Sequence, residues 1–422
     1  MRAAIFMSRC PKSKRDWHLM KTHIVIGAGQ AGAHAAVSMR RAGFHGRIIL
    51  LGDELVHSYE RPPLSKSFIT ELESERIANF FPLSHYLNEK VEVLAGVAAE
   101  AIDPAAGAVS LAFGGKIPFD KVILATGSRP RTLSVPGSDR VLTLRTFADA
   151  VQIKKAFTSG RKVVCIGAGV IGLELASAAI SRGCQATVLE VGDRVMARSL
   201  DKAASRTIEA MHRDAGVEFV FGHSVVAVEP NAVVTDVGLR ILADVVVAGI
   251  GVDRNVALAQ SAGLSVGKGV LTDASGRTNI DCVLAAGEVA EFYSEREGAH
   301  VVLETSRHAQ MHGTLVGQVA AGQELVYDDV PWFWSDQHGA NIQVAGSHRA
   351  AVSTVYRGDP LSKRFCAYYL NSRSAVVGAF GLNAGRDVSA ALRLIRSGIA
   401  ADPEILADIT IMSGKLVSAP RA

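Results

Sequence analysis

The chain has 422 residues, 48% of them hydrophobic and 20% charged, with 40 glycines, 13 prolines and a formal net charge of +4. That balance excludes disordered and fibrous chains and supplies apolar surface for more than one core; no apolar run reaches the roughly 20 residues of a membrane-spanning helix, and so small a net charge makes no case for nucleic acid. The cysteines Cys10, Cys165, Cys184, Cys282 and Cys366 form no CxxC pair, so neither a metal centre nor a redox-active dithiol is expected, and a cytoplasmic setting is.

Residues 1–20 are basic at Arg2, Arg9, Lys12, Lys14 and Arg15 and contain no apolar stretch of signal-peptide length. They are predicted to form a disordered extension, with the folded chain starting near Met20. Residues 22–53 then run from an apolar strand through GAGQAG and an alanine-rich helix to a second apolar strand that ends at Asp53. Residues 88–113 read as short strands and turns, and 119–131 as a buried strand that ends in a glycine turn.

Residues 161–193 repeat the first pattern: strand, GAGVIG, helix, then a second strand ending at Glu190. A lone GxGxxG is a weak signal. Two copies, each with a strand before, a helix after and an acid closing the next strand, predict two dinucleotide-binding units. In each, the first glycine (Gly27, Gly167) makes the tight turn. The second (Gly29, Gly169) lets the backbone approach a pyrophosphate, and the third (Gly32, Gly172) lets helix pack on strand. The phosphates then meet the free N–H groups of a helix N-terminus. A carboxylate at Glu190 accepts from a ribose 2′-hydroxyl and repels a 2′-phosphate, which favours NADH over NADPH.

Further on, 218–251 reads as strands, 278–288 as a buried strand entering a turn, and 303–321 as a helix. From Val330 the character changes to PWFWSDQ, alternating strands and a helix near 387–398. The predicted division is a discontinuous first dinucleotide-binding domain (21–130 and 254–327), a second dinucleotide-binding domain (131–253) and a C-terminal α+β domain (328–422). His308 and His312 are one helical turn apart with no third ligand evident, and are read as helix-face histidines.

GxGxxG, ATG at Ala125–Gly127, the second GxGxxG and the turn at 285–288 follow in one order. With ERPPLSK at Glu60–Lys66, LEVGDRVMAR and VPWFWSDQ at Val330–Gln337, the chain resembles the NADH-dependent ferredoxin reductases that serve Rieske-type dioxygenases and haem-thiolate monooxygenases. The resemblance covers about 21–398. It implies an α/β fold of two Rossmann-like domains of the glutathione-reductase kind plus the α+β domain. It implies FAD and NADH as cofactors and a small acidic [2Fe–2S] ferredoxin as partner, in a monomer or homodimer away from membranes.

Carried over residue by residue, FAD is expected on Gly27, Gly29, Ala31, Gly32 and Asp53. Arg61 and Lys66 are expected along it, Lys66 at its reactive edge, and Ala99, Thr126, Gly127 and Arg131 on the adenine and pyrophosphate side. Gly287 and Glu288 are expected at the ribityl chain. NADH is expected on Gly167, Gly169, Ile171, Gly172 and Glu190, with Glu174 and the turn at Gly251 beside the nicotinamide. Ser306 and Trp334 are placed near the isoalloxazine. The family pattern has Asp where this chain has Glu288, and often a bulky residue where it has Ser306.

Hydride transfer between two bound cofactors asks for ring stacking and electrostatics rather than a proton-shuttling side chain. Lys66 would stabilise negative charge on the reduced ring. For Glu174 two readings stay open: an acid in a first helical turn stabilised by the helix dipole, or a partner of Lys66 or the nicotinamide. Trp332 and Trp334 read either as core aromatics or as a wall beside the flavin. No cysteine lies between Cys10 and Cys165, which excludes a thiol relay in this part of the chain. Electrons would leave directly to a docked acceptor, with Lys363, Arg364, Arg386, Arg393 and Arg396 as the candidate basic face. Two other functions stay open: an NADH oxidase or quinone-type reductase, and a redox-regulated interaction protein resembling apoptosis-inducing factor.

Overall fold

The computed structural model describes residues 20–56, 58–71 and 77–416, so the predicted disordered extension lies outside the described residues. The chain forms two compact units. Among the described residues, the first contains 20–56, 58–60, 77–129 and 253–329, and the second contains 61–71, 130–252 and 330–416.

The first unit is built on a five-stranded parallel sheet. Its strand order is Val283–Ala285, Lys121–Leu124, Thr22–Ile26, Arg47–Gly52, Val91–Ala95. Ile24, Val25, Ile48, Ile49, Leu50, Val122 and Ile123 are fully buried, as near-continuous apolar runs demand of parallel strands covered on both faces. The helix Gln30–Arg41 packs closely on the helix Ser306–Ala320. Small residues set that closeness. A Cβ at Gly313 would lie 2.3 Å from the Ala31 carbonyl oxygen, and one at Gly317 would lie 2.2 Å from that of Ala35. The Ser38 hydroxyl donates across the pair to the Thr314 carbonyl at 2.8 Å.

The second unit carries a matching parallel sheet ordered Val217–Phe221, Gln185–Glu190, Lys162–Ile166, Val245–Ala248, Val141–Thr143. It also holds an antiparallel sheet ordered Trp332–Gln337, Ala340–Gly346, Val376–Leu382, Phe365–Leu370, Ser353–Arg357, with the helix Gly385–Ser397 packed on it.

The contact grouping differs from the predicted division in two ways. Residues 61–71, placed in the first nucleotide-binding domain by sequence, pack with the second unit. The C-terminal α+β segment shares that unit with the second nucleotide-binding sheet. One core explains both: Ile69, Leu173, Val188, Ile342, Phe365 and Phe380 belong to a single buried cluster. Burial of such side chains is worth about 1.5–3 kcal/mol each, enough to join segments far apart in sequence.

Candidate functional site: two glycine cradles and a buried ion pair

In the first unit the cradle sits where the central strand Thr22–Ile26 ends. The sheet order reverses there, which is where open α/β sheets leave a crevice. Gly27 has φ +109°, and a Cβ on it would meet the Ala125 carbonyl oxygen at 2.2 Å. A Cβ on Gly32 would lie 1.8 Å from the Gly27 oxygen, so only glycine allows helix and turn to close up. At Gly29 the outcome reverses: a Cβ there would meet nothing within 4 Å. The helix beginning at Gln30 has no side-chain cap and no acid in its first turn, so its amides are free to face an anion. These features fit a dinucleotide pyrophosphate.

Around this cradle, Ala31 and Gly32 are buried and Asp53 is exposed directly after the second strand. Thr126 and Gly127 are pinned by Asn255, whose side chain donates to the Thr126 carbonyl at 2.8 Å and whose backbone accepts from the Thr126 hydroxyl at 2.8 Å. Ala99 opens the strand Ala99–Asp103. Gly287 and Glu288 form a tight 3₁₀ turn, with Glu288 half-buried. Ser306, first residue of its helix, donates to the Gln30 side chain.

His308 and His312 face the core from that helix and stack at 5.0 Å beside Phe292. His312 Nδ1 accepts from the Gly287 amide at 3.1 Å, and so holds the turn that carries Glu288. His308 Nδ1 lies 2.9 Å from the Tyr327 hydroxyl. Burial lowers the His308 pKa to about 4 and holds that of His312 well below 6.5. Among the described residues no cluster of three or more His, Cys, Asp or Glu is arranged to hold a metal. Sequence reasoning missed the tie from His312 to the Gly287 turn.

The second unit repeats the cradle. Gly167 has φ +97°, and a Cβ on Gly172 would lie 1.9 Å from its carbonyl oxygen. At Gly169 the nearest atom to a Cβ is 3.9 Å away. The helix Val170–Ser181 is again uncapped by any side chain. Ile171 beside it is 40% exposed. Glu190 ends the second strand, and its carboxylate accepts from the amides of Ala168 and Gly192, each at 2.7 Å. The carboxylate is thereby fixed at the mouth of the cradle. Arg131 donates its amide to the Gly251 carbonyl at 3.0 Å, which ties the strand-end turn at Gly251 in place.

Lys66 and Glu174 form an ion pair at 2.8 Å in the second unit, with 15% and 1% of their side chains exposed. Glu174 also accepts from the hydroxyls of Ser65 and Ser335. This corrects one of the two sequence readings. The helix starts at Val170 and has no acid in its first turn, so Glu174 lies in the second turn and is buried, and the dipole account does not apply. Its charge is compensated by side chains instead, as a buried carboxylate requires. Arg61 donates to the Arg145 carbonyl at 3.0 Å. Trp332 and Trp334 alternate onto one face of their strand and stack at 5.5 Å, both half-buried.

Two cradles of this construction in one chain narrow the comparison with known proteins. Residues 21–313 match the pyridine nucleotide-disulphide oxidoreductase family, and residues 332–415 match the reductase C-terminal family. The chain belongs to the pyridine nucleotide-disulphide oxidoreductase family. Within it, the chain is 36% identical over 395 residues to the ferredoxin–NAD(+) reductase component of the anthranilate 1,2-dioxygenase system of Burkholderia cepacia, covering 92% of this chain and 97% of the relative. Among solved structures it is similar to the ferredoxin reductase for the CYP199A2 system of Rhodopseudomonas palustris. That match has a TM-score of 0.90 and 31% identity over 94% of this chain and 99% of the other. It is also similar to a chain of the covalent putidaredoxin reductase–putidaredoxin complex, with a TM-score of 0.90 and 28% identity over 94% and 98% of the two chains. The fold expectation of two nucleotide-binding domains and a C-terminal α+β domain agrees with both family matches. Cys165, Cys184 and Cys366 are buried, and burial pushes the Cys165 thiol up to about 12.

Proposed function

We propose that this enzyme passes electrons from NADH through FAD to an acidic [2Fe–2S] ferredoxin that feeds an oxygenase. The observation that carries the reading is the pair of uncapped glycine cradles in one chain, with no cysteine between Cys10 and Cys165 to relay electrons through sulfur. The named roles of the relatives support it. When bound, FAD supplies the chemistry, taking two electrons from NADH and releasing them one at a time. The chain's own residues bind and orient. Gly27, Gly29, Ala31, Gly32, Asp53, Ala99, Thr126, Gly127, Gly287 and Glu288 are proposed to hold FAD, with Arg61 along it and Arg131 on its adenine and pyrophosphate side. Gly167, Gly169, Ile171, Gly172, Glu190 and Gly251 are proposed to hold NADH. Lys66 is proposed to set the electrostatics of the reactive edge, with Glu174 fixing the ammonium, Trp334 forming a wall beside the ring and Ser306, smaller than the residue the family often has there, leaving that side of the ring more open. The proposed domain assignment is FAD in 21–130 and 254–327, apart from the segment 61–71 that packs with the second unit, and NADH in 131–253.

For the partner, Lys363, Arg364, Arg386, Arg393 and Arg396 are all exposed. Arg364 and Arg386 line an open cleft of about 750 Å³ together with Trp332, Gln343, Asn383 and Ser389. A basic face of this kind accelerates encounter with an acidic protein, and the rate falls as salt rises. No helix among the described residues is long and apolar enough to cross a membrane.

The test is an anaerobic titration of the FAD-loaded protein with NADH, followed by a [2Fe–2S] ferredoxin. Bleaching of the flavin band by NADH and its rapid return with ferredoxin is the expected result. Bleaching that ferredoxin cannot reverse, with fast oxygen consumption, would transfer the reading to an NADH oxidase. Slow bleaching and a persistent charge-transfer band would transfer it to a redox-regulated interaction protein. A second expectation concerns Glu190. Glu190→Ala removes the carboxylate held by Ala168 and Gly192 and should raise KM for NADH about tenfold, the worth of one charged hydrogen bond. Discrimination against NADPH should narrow at the same time; unchanged constants for both nucleotides would place the ribose elsewhere.

A further inference from the structure

A chain of buried polar side chains leads away from the Lys66–Glu174 pair inside the second unit. Ser335 Oγ lies 2.5 Å from Glu174 Oε1, and Gln337 Nε2 lies 2.8 Å from Ser335 Oγ. His212 Nε2 lies 2.8 Å from Gln337 Oε1, and His338 Nε2 lies 3.0 Å from His212 Nδ1. Ser335, Gln337 and His212 are each 0–1% exposed, so water does not interrupt the series.

Hydrogen-bond chemistry fixes the sense of the series from its inner end. The Glu174 carboxylate faces the Lys66 ammonium and accepts from the Ser65 and Ser335 hydroxyls. The single Ser335 proton therefore points to Glu174, and Ser335 must accept from Gln337. The Gln337 amide then presents its N–H to Ser335 and its oxygen to His212. His212 must donate from Nε2. It is neutral, because burial brings its pKa down to about 4, so Nδ1 accepts. His338 must donate from Nε2. Turning any one member breaks every bond beyond it.

The backbone supports the outer end. His338 sits in the two-residue turn joining Trp332–Gln337 to Ala340–Gly346, with φ +49° followed by Gly339 at +73°. A non-glycine residue in this left-handed region is uncommon and needs outside support. His338 has it: its amide donates to Ser177 Oγ at 2.8 Å, on the same helix as Glu174, and its ring meets His212.

We infer that His212 and Gln337 are positioning residues for the Lys66–Glu174 pair, acting through Ser335, so that a one-way relay of donors from His338 holds the carboxylate that fixes Lys66. The consequence for the flavin rests on the placement of Lys66 at its reactive edge proposed above. The groups facing His212 are His338, Gln337 and the Phe219 ring, with Phe219 packed edge-on at 6.1 Å. None of these three is charged at neutral pH, so at His212 the relay is set by hydrogen-bond direction, passed outward from the Lys66–Glu174 pair at its inner end.

The first test uses the wild-type holoprotein with labelled histidine and reads ring tautomers by nitrogen NMR at pH 7. Nε2–H on both His212 and His338 is expected; an Nδ1–H tautomer at His212 overturns the inference. The second test measures trace acetylation of Lys66 by mass spectrometry and the flavin midpoint potential in His212→Leu, Gln337→Leu and His212→Gln. The two leucine variants should acetylate Lys66 about tenfold faster, the factor carried by one charged hydrogen bond. His212→Gln, whose amide N–H reaches as far as Nε2, should return most of the protection. Faster acetylation with an unmoved potential would keep the relay and remove Lys66 from the flavin edge. Unchanged acetylation in both leucine variants would overturn the relay whatever the potential does. Failure of ferredoxin turnover in the wild type would bear on the proposed function alone.

Discussion

Gly29→Ala is expected to leave the protein as stable without cofactor as the wild type and yet to weaken FAD binding by about 10- to 100-fold. The added methyl would meet no protein atom within 4 Å, so it adds no strain to the empty chain. It would occupy the space kept for a phosphate, and overpacking of that kind costs about 1–3 kcal/mol. Gly32→Ala should behave differently. Its methyl would lie 1.8 Å from the Gly27 carbonyl oxygen, a backbone atom that cannot rotate away. That variant should lose melting temperature and flavin together. The second cradle gives the same contrast with a different ligand. Gly169→Ala should keep its FAD and its stability but show a KM for NADH raised about 10- to 100-fold, because the nearest protein atom is 3.9 Å away. Calorimetry without cofactor, FAD titration and NADH kinetics read the three quantities separately. If Gly29→Ala binds FAD normally, or if Gly169→Ala sheds FAD instead of losing NADH affinity, the assignment of the two cradles is wrong.

Acidification from pH 7 to pH 4 should remove most of the stability of the fold. Burial lowers the pKa of His23, His212 and His308 to about 4 from 6.5, and holds that of His312 well below 6.5. For a histidine whose folded pKa is depressed, the unfolded chain binds the extra proton first. The associated stability is therefore complete above about pH 6.5 and is lost as the pH falls toward 4. Each of the three contributes on the order of 3 kcal/mol across that window, against a typical total of about 5–15 kcal/mol. Three of the four histidines belong to the first unit, so its transition should come at the higher pH. Urea melts at pH 7.5, 6 and 5, followed by circular dichroism, would show the midpoint falling steeply over this range. His23→Phe should blunt the fall: it keeps the stack on Phe44, now at 3.9 Å, and removes a titrating group whose Nδ1 has no partner. A midpoint that holds steady down to pH 5 would mean that these rings are not buried neutral.

What the chain order made legible was whatever depends on residues close in sequence. The two cradles are local steric objects. A tight turn, a close approach and an uncapped helix start are written within six consecutive residues at 27–32 and again at 167–172, and the acids Asp53 and Glu190 close the next strands. The strands and the late helices followed from apolar runs and periodicity. Tertiary structure alone decided the surroundings of Glu174. Its serine partners are 109 and 161 positions away in sequence, so no window could show that a carboxylate in the second turn of an apolar helix would be buried and satisfied. The same holds for His312, whose bond to the Gly287 amide crosses 25 positions, and for Gln337, which meets His212 across 125. It also holds for residues 61–71, which a linear division assigns to the first unit and a shared apolar core assigns to the second. Backbone sterics are short-ranged and leave a pattern in sequence. Burial and hydrogen-bond satisfaction are decided by whichever distant segment folding brings near, and these set the partners of Lys66, Glu174 and the buried histidines.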